Sequence, residues 1–261
     1  MSADTPSTTT LLCDADGNLF PSEEPAFVAS AVVTNAFLAG HGVDVRFDPE
    51  ALRLQTTGKN FRTTMADLAV SYGIVVTREE REHWVTEERE AVTRHLSMTL
   101  RPDRRVIEPL TRLGEQTLLA AASSSATARL AACFEATGLS ALIPEERRFS
   151  AEDSLGRPTS KPDPAIYRFA CECLNVEPAA ALAVEDSLPG AKSAVAAGIP
   201  TVGNVQFVPP NERQQRERQL RQLGVLTVVG SWTEIESLLL EPGDGPGLLG
   251  RCVERRGIGG H

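Results

Sequence analysis

Asp14 and Asp16 stand one residue apart in Asp14-Ala15-Asp16-Gly17, directly after the apolar run Thr9 to Cys13. Glu185 and Asp186 follow a second apolar run, Ala181 to Val184. A third run, Leu118 to Ala122, ends in Ser123-Ser124-Ser125, and Lys161 lies in a polar stretch before Pro162. Carboxylates gathered at one place repel one another unless a hard divalent cation sits among them. No histidine or cysteine joins the set, and all-oxygen donors suit Mg2+. A lysine and a hydroxyl beside such a cation make a place for a phosphoryl group.

The elements that must bring these residues together read as strands separated by helices. Strands are expected over Thr9 to Cys13, Leu118 to Ala122, around Phe149, Ala181 to Val184, Thr201-Val202 and Leu226 to Val229. Between them fall a helix closing near Gly138, one capped by Asp163-Pro164 and reaching about Leu174, and one from Leu188 to Ala197. Ser231 with Glu234 caps a last helix. Helical crossovers of roughly 10–15 residues imply an α/β, doubly wound parallel sheet of Rossmann-like form, covered on both faces. Ligands in such sheets bind at the carboxyl ends of strands, where Asp14, Asp16, Ser123, Glu185 and Asp186 all fall.

From Ser22 to about Arg94 strand signals nearly vanish. Ser22 is positioned to cap a helix carrying Phe27, Val28, Ala31, Val32 and Leu38 and ending near Gly40. Asp48 with Pro49 opens a second helix. Thr77 and Glu80 form a capping-box pair for a long helix through Leu96, with Val85, Val92 and Leu96 on its apolar face. The resulting division is a core of residues 1–20 and 98–240, a helical insertion over 21–97, and a flexible Gly- and Pro-rich tail over 241–261.

The 261 residues carry 35 acidic and 26 basic side chains, a formal net charge of −9. That balance argues against nucleic acid or an anionic membrane as partner, since both are held by fields of Lys and Arg. No run approaches the roughly 20 apolar residues of a membrane span, and the polar N-terminus lacks signal-peptide regions, so a cytoplasmic protein is expected. The five cysteines are too few for a disulfide framework, and Cys171 and Cys173 read as helix residues. Lys192 and the four histidines read as solvated surface groups, and either a monomer or a homodimer is compatible with the composition.

The segments LLCDADGNLF, LLAAASSS, SKPDPAIY and AVEDSLPGAKSAVAAG resemble, in order, the four motifs of the haloacid dehalogenase (HAD) superfamily. The helical insertion resembles the cap of its phosphoglycolate phosphatase and β-phosphoglucomutase branch. The resemblance implies an Mg2+-dependent phosphatase acting on a small phosphorylated metabolite, with Asp14 as nucleophile and Asp16 as general acid and base. It implies Mg2+ on Asp14, on the Asp16 backbone carbonyl and on Asp186, with Glu185 helping directly or through water. Ser123 and Lys161 would bind the phosphoryl oxygens, Ser124 or Ser125 replacing Ser123 if the strand runs longer. Lys161 has a second duty, to offset the carboxylates, and Lys59 and Arg62 match a substrate-specificity loop of the cap.

Departures from the pattern weigh on the alternatives. Asn18 stands where the family usually has Thr or Val. A dehalogenase or a phosphonatase lacks the counterpart of Asp16, although Lys59 is a cap lysine of the kind phosphonatases use. A β-phosphoglucomutase-like mutase has a gating histidine that the stretch Glu23 to Phe27 does not contain. A catalytically silent module that binds a phosphorylated ligand would have lost Asp14 or Asp16, and both are present.

Overall fold

The computed structural model describes residues 9–56 and 60–240. Within them the chain forms two compact units, one inside Met1–Phe20 and Pro102–His261, the other inside Pro21–Arg101.

The first unit is built on six parallel strands: β1 (Thr9–Cys13), β2 (Thr117–Ser123), β3 (Arg148–Ser150), β4 (Ala181–Glu185), β5 (Thr201–Asn204) and β6 (Thr227–Val229), in the order β3-β2-β1-β4-β5-β6. β1 is central, with Leu11 opposite Leu119 of β2 and Leu182 of β4. Strands covered on both faces read as unbroken apolar runs rather than alternating ones, and Leu11, Leu12, Ala120 to Ala122 and Leu182 to Val184 are all buried. Alanines on β2 and β4 let Ile166, Tyr167 and Ala194 pack closely on one face of the sheet.

The helices of this unit are α5 (Arg104–Gly114), α6 (Thr127–Thr137), α7 (Ala165–Cys173), α8 (Leu188–Ala196), α9 (Pro210–Gln222) and α10 (Trp232–Leu240). Cys171 and Cys173 lie on α7, and Lys192 is exposed on α8, both as expected. Ser231 accepts the Glu234 amide at 3.2 Å, so the last helix carries the expected cap, and the Glu234 side chain reaches one residue further back to accept the Gly230 amide. Two helices have no counterpart in the sequence reading, α5 and α9. α5 holds Pro109 in its interior, and α9 has Leu220 as its one buried residue.

The second unit is all helical: α1 (Glu23–Gly40), α2 (Pro49–Thr56), α3 (Phe61–Tyr72) and α4 (Arg78–Thr99). Its core gathers Phe37, Leu38, Met65 and Leu68, with Phe47, Phe61 and Trp84 packed against them. Asn35 pins the chain entering α2 by exchanging two hydrogen bonds with Phe47, at 2.9 and 2.8 Å. Thr77 caps α4 as its sequence indicates.

Several expectations for this unit are corrected. Ser22 sits at the N-cap position in helical backbone and makes no side-chain cap, because a capping hydroxyl needs an extended residue to reach the third amide. The inward stripe of α1 runs through Ser30, Val33, Thr34 and Phe37, leaving Val28 and Val32 exposed. Small and polar residues let α1 approach α4, where a purely apolar reading favoured the valines. α3 is a separate helix. The boundary expected between residues 97 and 98 falls inside α4, which continues through Thr99. Lys59 and the 241–261 tail lie outside the described residues.

Candidate active site

β1 delivers Asp14. It is the first residue beyond the strand, and its amide still donates to the Val184 carbonyl at 2.9 Å, so the sheet ladder fixes where the carboxylate emerges. The chain then turns tightly from Ala15 to Phe20, with the Leu19 amide on the Ala15 carbonyl at 2.9 Å and the Gly17 amide on the Phe20 carbonyl at 2.9 Å. Gly17 adopts φ +78°, and a Cβ there would lie 2.5 Å from Asp186 Oδ2. Glycine is required by both conformation and space. That space admits the Asp186 carboxylate, whose backbone carbonyl accepts a bond from Arg216 of α9 at 2.8 Å.

Lys161 is the positive centre of the site, with its side chain 4 % exposed. Its ammonium donates to Asp14 Oδ1, to the Ala122 carbonyl at 2.7 Å and to Glu185 Oε1 at 2.7 Å. An ammonium has three protons, and these partners use all of them. The Tyr167 ring lies 5.1 Å from Nζ, and the Tyr167 hydroxyl donates to Glu185 Oε1. Glu185 is the last residue of β4 and wholly buried, which corrects its expected place past the strand end. Its other oxygen faces Ser187 Oγ at 3.4 Å and the Cα of Gly190, where an added Cβ would come within 1.8 Å of Oε2.

The serines separate into distinct tasks. Ser123 closes β2 rather than following it, so the strand ends one residue later than expected. It accepts the Ser125 amide at 3.0 Å and approaches Asp16 Oδ2 at 3.4 Å. Ser124 accepts the Lys161 amide at 3.1 Å, which anchors the lysine loop to β2. Ser125 donates to Asp16 Oδ2 at 2.7 Å and thereby holds the one carboxylate of the turn that stays partly exposed.

Burial drives the Asp14 carboxyl up to about 7; Lys161 pulls it back, while Glu185 and Asp16 add repulsion. For Lys161 burial pulls the ammonium down, but Asp14 and Glu185 outweigh it and hold the group protonated well above its ordinary range. Carboxylate oxygens of Asp14, Glu185 and Asp186 lie within 4.8 Å of one another. Three buried carboxylates against one lysine leave an excess of negative charge in a nearly dry place. All-oxygen donors around such an excess fit a hard divalent cation.

Asp14, Asp16, Ser123, Ser124, Lys161, Glu185 and Asp186 therefore meet at one sheet edge. Arg62 does not lie in a loop: it is on α3 and forks onto Glu82 of α4, with Nη2 to Oε2 at 2.7 Å. Asn60, just before it, uses its side chain to cap α3 through the Thr63 amide. Sequence reasoning missed Tyr167, Ser125 as the partner of Asp16, and Arg216. Tyr167 lies in the quoted third segment, so its position was visible even though its partner was not.

A family model described as haloacid dehalogenase-like hydrolase matches residues 8–198. The chain belongs to that family. HAD-like solved structures resemble it over most of its length. A conserved haloacid dehalogenase-like protein of unknown function from Agrobacterium tumefaciens is 21% identical, covers 88% of this chain and 97% of its own, and has a TM-score of 0.67. A HAD family hydrolase from Deinococcus radiodurans, with bound phosphate and sodium, is 25% identical over 87% of this chain and 93% of its own, TM-score 0.63. CbbY from Rhodobacter sphaeroides, in complex with xylulose-(1,5)bisphosphate, is 23% identical over 87% and 96%, TM-score 0.65. No curated protein sequence matches. The HAD-like α/β core is thus established, and the chain is a HAD-like hydrolase.

Proposed function

We propose that this chain is a cytoplasmic, Mg2+-dependent phosphatase that hydrolyses a small phosphorylated metabolite, a sugar phosphate among the candidates, through an aspartyl-phosphate on Asp14. The observation that carries the reading is the crowding of the Asp14, Glu185 and Asp186 carboxylates within 4.8 Å of one another, with Lys161 bridging Asp14 and Glu185. Phosphate in the Deinococcus hydrolase and a sugar bisphosphate in CbbY support the substrate class.

Asp14 and Asp186, with the Asp16 backbone carbonyl, would hold Mg2+, which when bound supplies a Lewis acid toward a phosphoryl oxygen. Asp14 is the nucleophile: its free oxygen forms a bond to phosphorus as the ester P–O bond breaks. Asp16, partly exposed and oriented by Ser125, gives its proton to the leaving alkoxide. It then takes a proton from the water that opens the aspartyl-phosphate. Lys161 favours the ionised form of Asp14 and so opposes part of the effect of burial. Because its protons are all committed, it reaches a phosphoryl oxygen by exchanging its bond to Asp14 as that carboxylate is phosphorylated. Glu185 and Tyr167 hold the ammonium in place meanwhile, and Ser123 and Ser124 offer hydroxyls to the phosphoryl group.

Release of phosphate from p-nitrophenyl phosphate, measured with Mg2+ and with EDTA, tests the reaction. A panel of phosphorylated metabolites ranked by kcat/KM then identifies the substrate. Failure to release phosphate from any ester in the presence of Mg2+ sinks the reading.

A further inference from the structure

Asn18 is wholly buried behind the site, and all of its polar atoms are used. Its Nδ2 donates to the Asp14 carbonyl at 3.0 Å and to the Val184 carbonyl at 3.1 Å. Its Oδ1 accepts from Asn204 Nδ2 at 2.9 Å, and its backbone carbonyl accepts from Trp232 Nε1 at 2.9 Å. One primary amide thus joins the carboxyl ends of β1, β4 and β5. Those ends carry Asp14 on one side and Glu185 with Asp186 on the other. The Asn204 bond also sets the orientation of the amide, since a flipped amide would aim its oxygen at two carbonyl oxygens.

We propose that Asn18 is a positioning residue for the divalent-cation site: it clamps the strand ends bearing Asp14 and Asp186 at one spacing, with Asn204 locking its orientation. This rests on the metal-dependent reading above. The chemistry selects asparagine, because two N–H groups on one nitrogen reach two carbonyls while the oxygen takes a third partner. Threonine offers a single donor, and an aliphatic side chain offers none. Groups that orient metal ligands without touching the metal change its affinity when they are lost.

Mn2+ binding to the full chain, measured by titration calorimetry without substrate, tests the proposal. Asn18→Leu is expected to weaken binding about tenfold or more, and Asn204→Leu to weaken it by less. Val229→Ala, a buried truncation on β6, lowers the melting temperature and leaves Mn2+ affinity unchanged, which separates positioning from general stability. An Asn18→Leu affinity within about twofold of wild type overturns the proposal. If that variant does not fold, Asn18→Thr is read by the same criterion. A wild-type chain that binds no Mn2+ overturns the metal-site reading together with this inference, whereas wild-type binding that the variants leave unaltered overturns the inference alone.

Discussion

The Asp14 carboxyl is held at about 7, against an ordinary value of 3.8, chiefly because it is buried. Between those values the folded chain keeps a proton that the unfolded chain has released, so stability falls as pH rises through that window. In EDTA the melting temperature should therefore decline from about pH 5 to about pH 8, and Asp14→Asn should flatten the decline. The same substitution should lower turnover on the order of 10^3-fold or more while the circular dichroism stays native, because it removes the nucleophile. Asp16→Asn should cost an alkyl phosphate about 10^2-fold or more and p-nitrophenyl phosphate much less, since nitrophenolate needs little protonation. Equal losses on both substrates would remove Asp16 from the acid role. At this scale the sequence was legible where a residue's type states its task. Asp14, Asp16, Lys161 and Asp186 are charged groups at strand ends or in the loop beside them, and the structure brings them together. Ser125, Tyr167 and Asn204 were not legible as partners, because their significance depends on which residue lies opposite across the fold.

Elements place these groups through packing tolerances of a few tenths of an ångström. α8 begins against β4 at Gly190, the only residue type that leaves room for Glu185. Gly190→Ala should push Glu185 off Lys161 and Tyr167, costing about 1–3 kcal/mol as an overpacked site. For a chain of this size that lowers the melting temperature by about 2–4 °C per kcal/mol, and phosphatase activity should fall with it. Unchanged melting would show that the helix shifts instead. Elements with strong local signals were readable: β1 ends where its apolar run ends, and Thr77 and Ser231 cap the helices they precede. β2 and β4 each run one residue past their expected ends, since Ser123 and Glu185 are polar yet buried and paired. α9 escaped because a helix whose sole buried residue is Leu220 shows no periodicity. α3 carried readable ends in Asn60, which caps it, and Gly73, which closes it in left-handed backbone.

For the whole molecule, a ligand that binds only the folded chain stabilises it by mass action, by about 2.7 kcal/mol at a hundredfold excess over Kd. Mg2+ should therefore raise the melting temperature, with EDTA reversing the effect, and the gain should be larger at about pH 8 than at about pH 5, where Asp14 holds its proton. An absent shift at both pH values would contradict a metal-binding site. The order of strands has a separate bearing on how the chain is made. β1 sits between β2 and β4, both encoded after the helical insertion, with Thr9 opposite Thr117 and Thr10 opposite Ala181. At translation speeds of about 5–20 residues per second, roughly a hundred residues emerge before either neighbour of β1 exists. The strand that bears Asp14 therefore leaves the ribosome as an unpaired apolar segment for on the order of 5–20 s. The helical unit, whose residues are all made within that interval, can fold first, so early chaperone contacts are expected to concentrate on β1.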